Sequence, residues 1–256
     1  MTPNRRPTHC LLDIDGTLLH GKDPISGALE AVHELIVLGV EVAFVTNTTT
    51  RTAAGLSREL TALGLPAPVE RIFTPASLTV AHIGSRRAAL FLHPELRPDF
   101  EAVTVDEVRP EVVVMGKMGR LYDGGDLQRI FTWVMNGTEL VALHKNRMWN
   151  TPQGMEMSLG GFVAAVEYAT RTSATILGKP SSAFFWEACH ALGVDPAATV
   201  MVGDDIEADV GGAQASGLKG VLVKTGKYRV DVVEGHAIKP DGVIDSVAGL
   251  AQWWPL

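Results

Sequence analysis

The chain has 256 residues, 46% of them hydrophobic and 20% charged, which is enough apolar mass for one large domain or two smaller ones. Its formal net charge of -7 argues against non-specific nucleic-acid binding. The cysteines are Cys10 and Cys189, each in an apolar run, and they argue against a disulfide framework. The stretch Met1 to His9 lacks the apolar centre of a signal peptide, and no run reaches the length of a membrane span. A cytoplasmic enzyme with neither a membrane nor a nucleic-acid partner is the expectation. The sequons Asn47-Thr48-Thr49 and Asn136-Gly137-Thr138 are then read as accidental.

The first element is the apolar run ending in Leu11-Leu12-Asp13-Ile14-Asp15-Gly16-Thr17. Alternate residues of a strand point the same way, so Asp13 and Asp15 could face one small volume. A lone pair of this kind more often ends a strand in a solvated acidic turn. Next, Ala28, Val32, Leu35 and Ile36 recur at helical spacing, with Gly39 as a stop. Val40 to Val45 is a second strand, ending in Thr46-Asn47. Strand, helix and strand in that order favour a right-handed crossover with parallel strands. Ala53, Leu56, Leu60 and Leu63 mark another helix, closed by Gly64. A short strand at 72–74 and a helix at 76–83 lead to the polar break Gly84-Ser85-Arg86-Arg87, where a domain boundary is expected.

The middle of the chain reads as its own α/β unit. Strands are expected at 88–92, 112–115 and 139–143, and helices around Leu127 to Val134 and over 162–170. The stretch from His144 to Gly161, rich in Gly, Met and polar residues, reads as a long loop. The earlier rhythm then returns. A strand at 175–177 precedes Gly178-Lys179-Pro180, and Ser181 or Ser182 caps a helix carrying Phe185, Cys189 and Leu192. A strand at 199–202 ends in Gly203-Asp204-Asp205, and a helix runs from Asp209 to Ser216. Short strands at 220–223 and 242–244 follow, with a last helix capped by Asp245 or Ser246.

Four apolar strands thus end in residues with chemistry: Asp13 and Asp15, Thr46 and Asn47, Lys179, and Asp204. In an open parallel sheet, ligands bind outside the carboxyl ends of the strands. The set has a consistent logic. Asp13 and Asp204, with a main-chain carbonyl near Asp15, can hold Mg²⁺. Asp13 can attack phosphorus, and Asp15 can move protons to the leaving group and from water. Thr46 and Asn47 can donate to phosphoryl oxygens, and Lys179 supplies a point charge. Asp205 and Asp209 fit a first-turn acidic pair or an outer metal shell, with Asp209 as a hydrogen-bond organiser.

These motifs resemble those of the haloacid dehalogenase-like hydrolase superfamily. The elements inserted between the second and third motifs resemble its type IIA, C2-capped phosphatases. Phe44-Val45-Thr46-Asn47-Thr48-Thr49, Ala165 to Thr170, Gly211 to Gln214 and Val223 to Tyr228 are similar to the same group, so the resemblance spans nearly the whole chain. It implies a Rossmann-like doubly wound parallel α/β core over 1–85 and 174–256, with an inserted α/β cap over 86–173. It also implies a Mg²⁺-dependent phosphatase working through an aspartyl phosphate on a phosphate monoester, phosphoamide or pyrophosphate. The partner is then a phosphorylated small molecule, with a homodimer left open. Carbon–halogen hydrolases of the superfamily lack the second Asp, which is present here as Asp15. A phospho-acceptor module of receiver type and a catalytically idle binding protein are the competing readings. Lifetime separates the first of these, because a receiver keeps its aspartyl phosphate and a phosphatase turns it over.

Overall fold

The computed structural model describes residues 7–118, 120–151 and 154–254. The chain forms two compact units, one of Met1–Thr46, Ala54–Phe73 and Lys179–Leu256, the other of Asn47–Ala53 and Thr74–Gly178.

The first unit is built on six parallel strands: β1 His9–Asp13, β2 Glu41–Val45, β3 Ile72–Phe73, β4 Thr199–Gly203, β5 Lys219–Val223 and β6 Gly242–Ile244. Their order in the sheet is β6-β5-β4-β1-β2-β3. Strands β1, β2, β4 and β5 are continuous apolar runs buried along nearly their whole length, as a sheet covered on both faces requires. The chain leaves β1 to one side for β2 and β3, then returns to the other side for β4. That reversal is the switch point at which open α/β sheets place their ligands. Register fixes what meets there. Leu12 pairs with Phe44 on one side and Val202 on the other, and Asp13 pairs with Val45. Asp13, Thr46 and Asp204 therefore leave the sheet at the same edge.

The expected fold class is the one observed, with local differences. A two-strand antiparallel ribbon, Leu19–His20 with Asp23–Pro24, stands between β1 and the helix Ala28–Val37. Ser246 rather than Asp245 caps the last turns, accepting from the Ala248 N–H at 3.2 Å. The helix expected from Asp209 begins earlier, as a wide π-type turn over Ile206–Gly211 that passes into a helix at Gly212–Ala215. The Asp205 carboxylate opens it by accepting the Glu207 and Ala208 N–H groups at 3.1 and 2.9 Å. A short helix at Val230–Gly235, too brief to show a period, was not expected.

The second unit carries its own four-stranded parallel sheet, ordered Thr175–Ile176, Glu139–Ala142, Val112–Met115, Ala88–Phe91. Helices Gly124–Met135 and Leu159–Thr170 pack on it through Ile130, Val134, Val163 and Val166, around Phe91, Met115 and Tyr122. Asp123 and Asp126 cap the first helix reciprocally, and Arg120 pairs with Asp126 at 2.6 Å. The long loop expected from His144 to Gly161 is not one. It contains an antiparallel hairpin, Met148–Thr151 with Gly154–Met157, and the following helix starts at Leu159, not Phe162. Four-residue strands are too short for a period to separate them from loop, and a hairpin is held by cross-strand bonds that a local pattern does not encode.

Candidate active site

The centre of the first unit is a buried charge cluster. Asp13 ends β1 and is only 6% exposed. Lys179 Nζ lies 2.6 Å from Asp13 Oδ1 and 2.6 Å from Asp209 Oδ1, and it is itself 3% exposed. Asp13, Asp204 and Asp209 each bring a carboxylate oxygen within 4.8 Å of the others. Three carboxylates thus gather around the Lys179 ammonium. Burial pushes Asp13 up to about 8, with Asp209 and Asp204 adding and Lys179 opposing. Burial, then Asp209, pushes Asp204 up to about 6. Burial pulls Lys179 down, but the Asp13 and Asp209 carboxylates outweigh it and hold the ammonium above its ordinary range.

The other expected residues take distinct places. Asp15 is exposed beyond the strand end and accepts from Thr46 Oγ1 at 3.4 Å. Thr46 is buried and fixed by its N–H to the Phe73 carbonyl at 3.1 Å. Thr17 Oγ1 lies 3.5 Å from Asp13 Oδ2. Asp205 turns away from the cluster to Lys227 Nζ at 3.2 Å. Burial would raise Asp205, yet Lys227 and the Ala208 and Glu207 N–H groups hold it below the usual carboxylate range. Asp209 lies within the cluster, because the wide turn brings its carboxylate back to the Asp205 N–H at 3.1 Å and to Lys179.

Asn47 follows Thr46 directly and belongs to the second unit, where it lines a cavity of about 500 Å³ with Lys117, Tyr122, His144, Leu159 and Phe162. The Tyr122 and Phe162 rings lie 5.1 Å apart. Burial, with Lys117 adding, pushes His144 down to about 4, so the imidazole is neutral at pH 7. Its Nδ1 accepts the Asn146 N–H at 3.3 Å, which leaves the proton on Nε2.

Comparison with known proteins fits this geometry. A model of the haloacid dehalogenase-like hydrolase family matches residues 10–106, and a second, HAD-hydrolase-like, matches 176–250. The chain is 38% identical over 231 residues to haloacid dehalogenase-like hydrolase domain-containing protein 2 of Bos taurus, covering 90% of this chain and 88% of that one. It belongs to the haloacid dehalogenase-like hydrolases. Phospholysine phosphohistidine inorganic pyrophosphate phosphatase of Mus musculus is 33% identical over 246 residues, covering 93% and 90% of the two chains. The p-nitrophenyl phosphatase from Archaeoglobus fulgidus superposes with a TM-score of 0.89 at 25% identity, covering 97% of this chain and all of that one. Both of these similar proteins are named as phosphatases. No helix among the described residues is long and apolar enough to cross a membrane.

The residues of this hydrolase fit a hard divalent cation. Asp204 Oδ1 is buried with no hydrogen-bond partner among the described residues, an arrangement that is costly unless something else satisfies the oxygen. The donors are carboxylate oxygens, which suit Mg²⁺. A cation there would also offset the burial, and the carboxylate repulsion added to it, that raise Asp13 and Asp204.

One group at this site escaped the sequence reading. Strand β5 also ends at the active edge, and Thr225-Gly226-Lys227 follows it. The Lys227 N–H donates to Asp204 Oδ2 at 2.8 Å, and Thr225 Oγ1 donates to the Gly16 carbonyl at 2.6 Å. The strand-end rule that singled out Asp13, Thr46 and Asp204 applies equally to β5, whereas the strand before Lys179, Thr175–Ile176, lies in the second unit's sheet.

Proposed function

We propose that this hydrolase is a Mg²⁺-dependent phosphatase acting on a phosphate monoester, phosphoamide or pyrophosphate through an aspartyl phosphate on Asp13. The observation that carries it is the Asp13 carboxylate, held by Lys179 at 2.6 Å within an acidic cluster, with Asp15 two residues further on. In the first step an Asp13 oxygen attacks phosphorus, the bond from phosphorus to the leaving group breaks, and Asp15 gives the leaving atom its proton. In the second, water attacks the same phosphorus while Asp15 takes its proton, and the bond to Asp13 breaks to release phosphate. Lys179 keeps Asp13 oriented and opposes the burial that favours its neutral form, and Thr46 and Asn47 donate to phosphoryl oxygens. Asp13, Asp204 and the main-chain carbonyl of Asp15 would hold Mg²⁺, which when bound neutralises charge on the transferring group. Activity should fall at least about a hundredfold in EDTA and return with added Mg²⁺. Full turnover by the metal-free protein would refute the metal assignment.

Segment 86–173 is proposed as the inserted cap, and the cavity around Tyr122 and Phe162 as the element that sets substrate choice. One support is chain continuity, since Asn47 in that cavity adjoins Thr46, which bonds Asp15. Phe162→Ala should alter relative kcat/KM across a panel of phosphorylated metabolites by about tenfold, the scale of losing apolar contact in a pocket. An unchanged ranking would move specificity to the loops after Asp15 and Lys179. The proposed setting is the cytoplasm, with a phosphorylated small molecule as partner.

A further inference from the structure

Asp204 is held in an unequal way. Its Oδ2 accepts the Lys227 N–H at 2.8 Å, while its Oδ1 is buried and receives no hydrogen bond from the described residues. Two glycines crowd the same carboxylate. Gly16 has φ +93 and Gly226 has φ +58, and a Cβ built on either would fall on Asp204 Oδ2. The two backbones also approach each other closely and are tied by Thr225 Oγ1 on the Gly16 carbonyl at 2.6 Å. The loop after Asp15 and the turn after β5 therefore grip one oxygen of Asp204 from two sides. Any side chain at either glycine would push the carboxylate out of place.

We propose that Gly16 and the Thr225-Gly226-Lys227 turn form a positioning clamp, which fixes the Asp204 carboxylate so that Oδ1 is presented to Mg²⁺. The clamp rests on the reading of Asp204 as a metal ligand. None of its members touches substrate; they act through Asp204. The left-handed glycines allow the close approach, the Lys227 N–H occupies Oδ2, and Thr225 holds the two loops in register.

Calorimetric titration of Mg²⁺ into the full-length protein tests it. Gly226→Ala should weaken Mg²⁺ binding about tenfold or more, the usual scale for losing an outer partner of a metal ligand. Gly39→Ala is the matched control, because Gly39 has φ +77 with nothing within 4 Å of its Cβ position. It carries similar backbone strain but should bind Mg²⁺ as the parent does. Thr225→Val should weaken binding and Thr225→Ser restore it, which decides the matter if Gly226→Ala does not fold. Parental Mg²⁺ affinity in Gly226→Ala or in Thr225→Val overturns the clamp. So does an equal loss in Gly39→Ala, which would make strain the cause. Asp204→Asn separates the two levels. If it also binds Mg²⁺ as the parent does, the metal reading itself is wrong; if it loses binding while the clamp variants do not, only the clamp falls.

Discussion

Asp13→Asn should lose on the order of 10⁴- to 10⁶-fold in kcat, the scale seen when a catalytic nucleophile is removed. The amide is a poor nucleophile and cannot form the acyl phosphate, so no phosphoenzyme should appear by intact-protein mass spectrometry. Asp15→Asn should behave differently. It keeps the Asp13 carboxylate and its 2.6 Å contact with Lys179. It loses the proton carrier, a step worth about 10²- to 10⁴-fold. With p-nitrophenolate, a leaving group that needs little protonation, this variant should be phosphorylated and then stall, since water attack still needs a base. The mass increase should therefore be seen in Asp15→Asn and not in Asp13→Asn. The opposite pattern would exchange the two roles, and phosphate release at the parental rate from Asp13→Asn would remove the covalent route altogether.

Lys179→Met should damage stability and activity together, and by different routes. The ammonium is 3% exposed and contacts both Asp13 and Asp209. Methionine replaces its volume but not its charge, leaving two buried carboxylates face to face. Removing one partner of a buried ion pair costs about 3–5 kcal/mol, because the remaining charge is uncompensated. The midpoint of chemical denaturation at pH 7 should fall accordingly, and added Mg²⁺ should recover part of it by supplying positive charge to the same oxygens. Turnover at saturating Mg²⁺ should still be down about 10²- to 10³-fold, since a fixed charge beside the reacting group is gone. An unfolding midpoint equal to the parent's, measured without metal, would show that the carboxylates are not ionised together in the folded state.

The alternation of strands and helices was legible in the sequence because continuous apolar runs such as Leu11-Leu12 and Val200 to Val202, punctuated by Gly and polar turns, are what a parallel sheet covered on both faces demands. The same runs placed Asp13, Thr46 and Asp204 at the ends of parallel strands of one sheet, whereas the strand expected before Lys179, Thr175–Ile176, belongs to the second unit's sheet, and Lys179 enters the first unit only as the chain crosses back into it. What the sequence left undecided depends on distances between residues far apart in the chain. Asp205 and Asp209 read alike as a first-turn acidic pair. Only the wide turn over Ile206–Gly211 separates them, sending Asp209 to Lys179 and Asp205 to Lys227. The hairpin at 148–157 was hidden for a similar reason, since its bonds run between strands and not along them. The grip on Asp204 could not be read locally either: Gly16 and Thr225 are 209 residues apart and meet only because β1, β4 and β5 lie side by side in the sheet. Sequence fixes which residues reach the edge, through apolar runs and strand ends. The packing of loops beyond that edge decides which oxygen faces which nitrogen, because it is set by close contacts between non-neighbouring segments that no periodicity records.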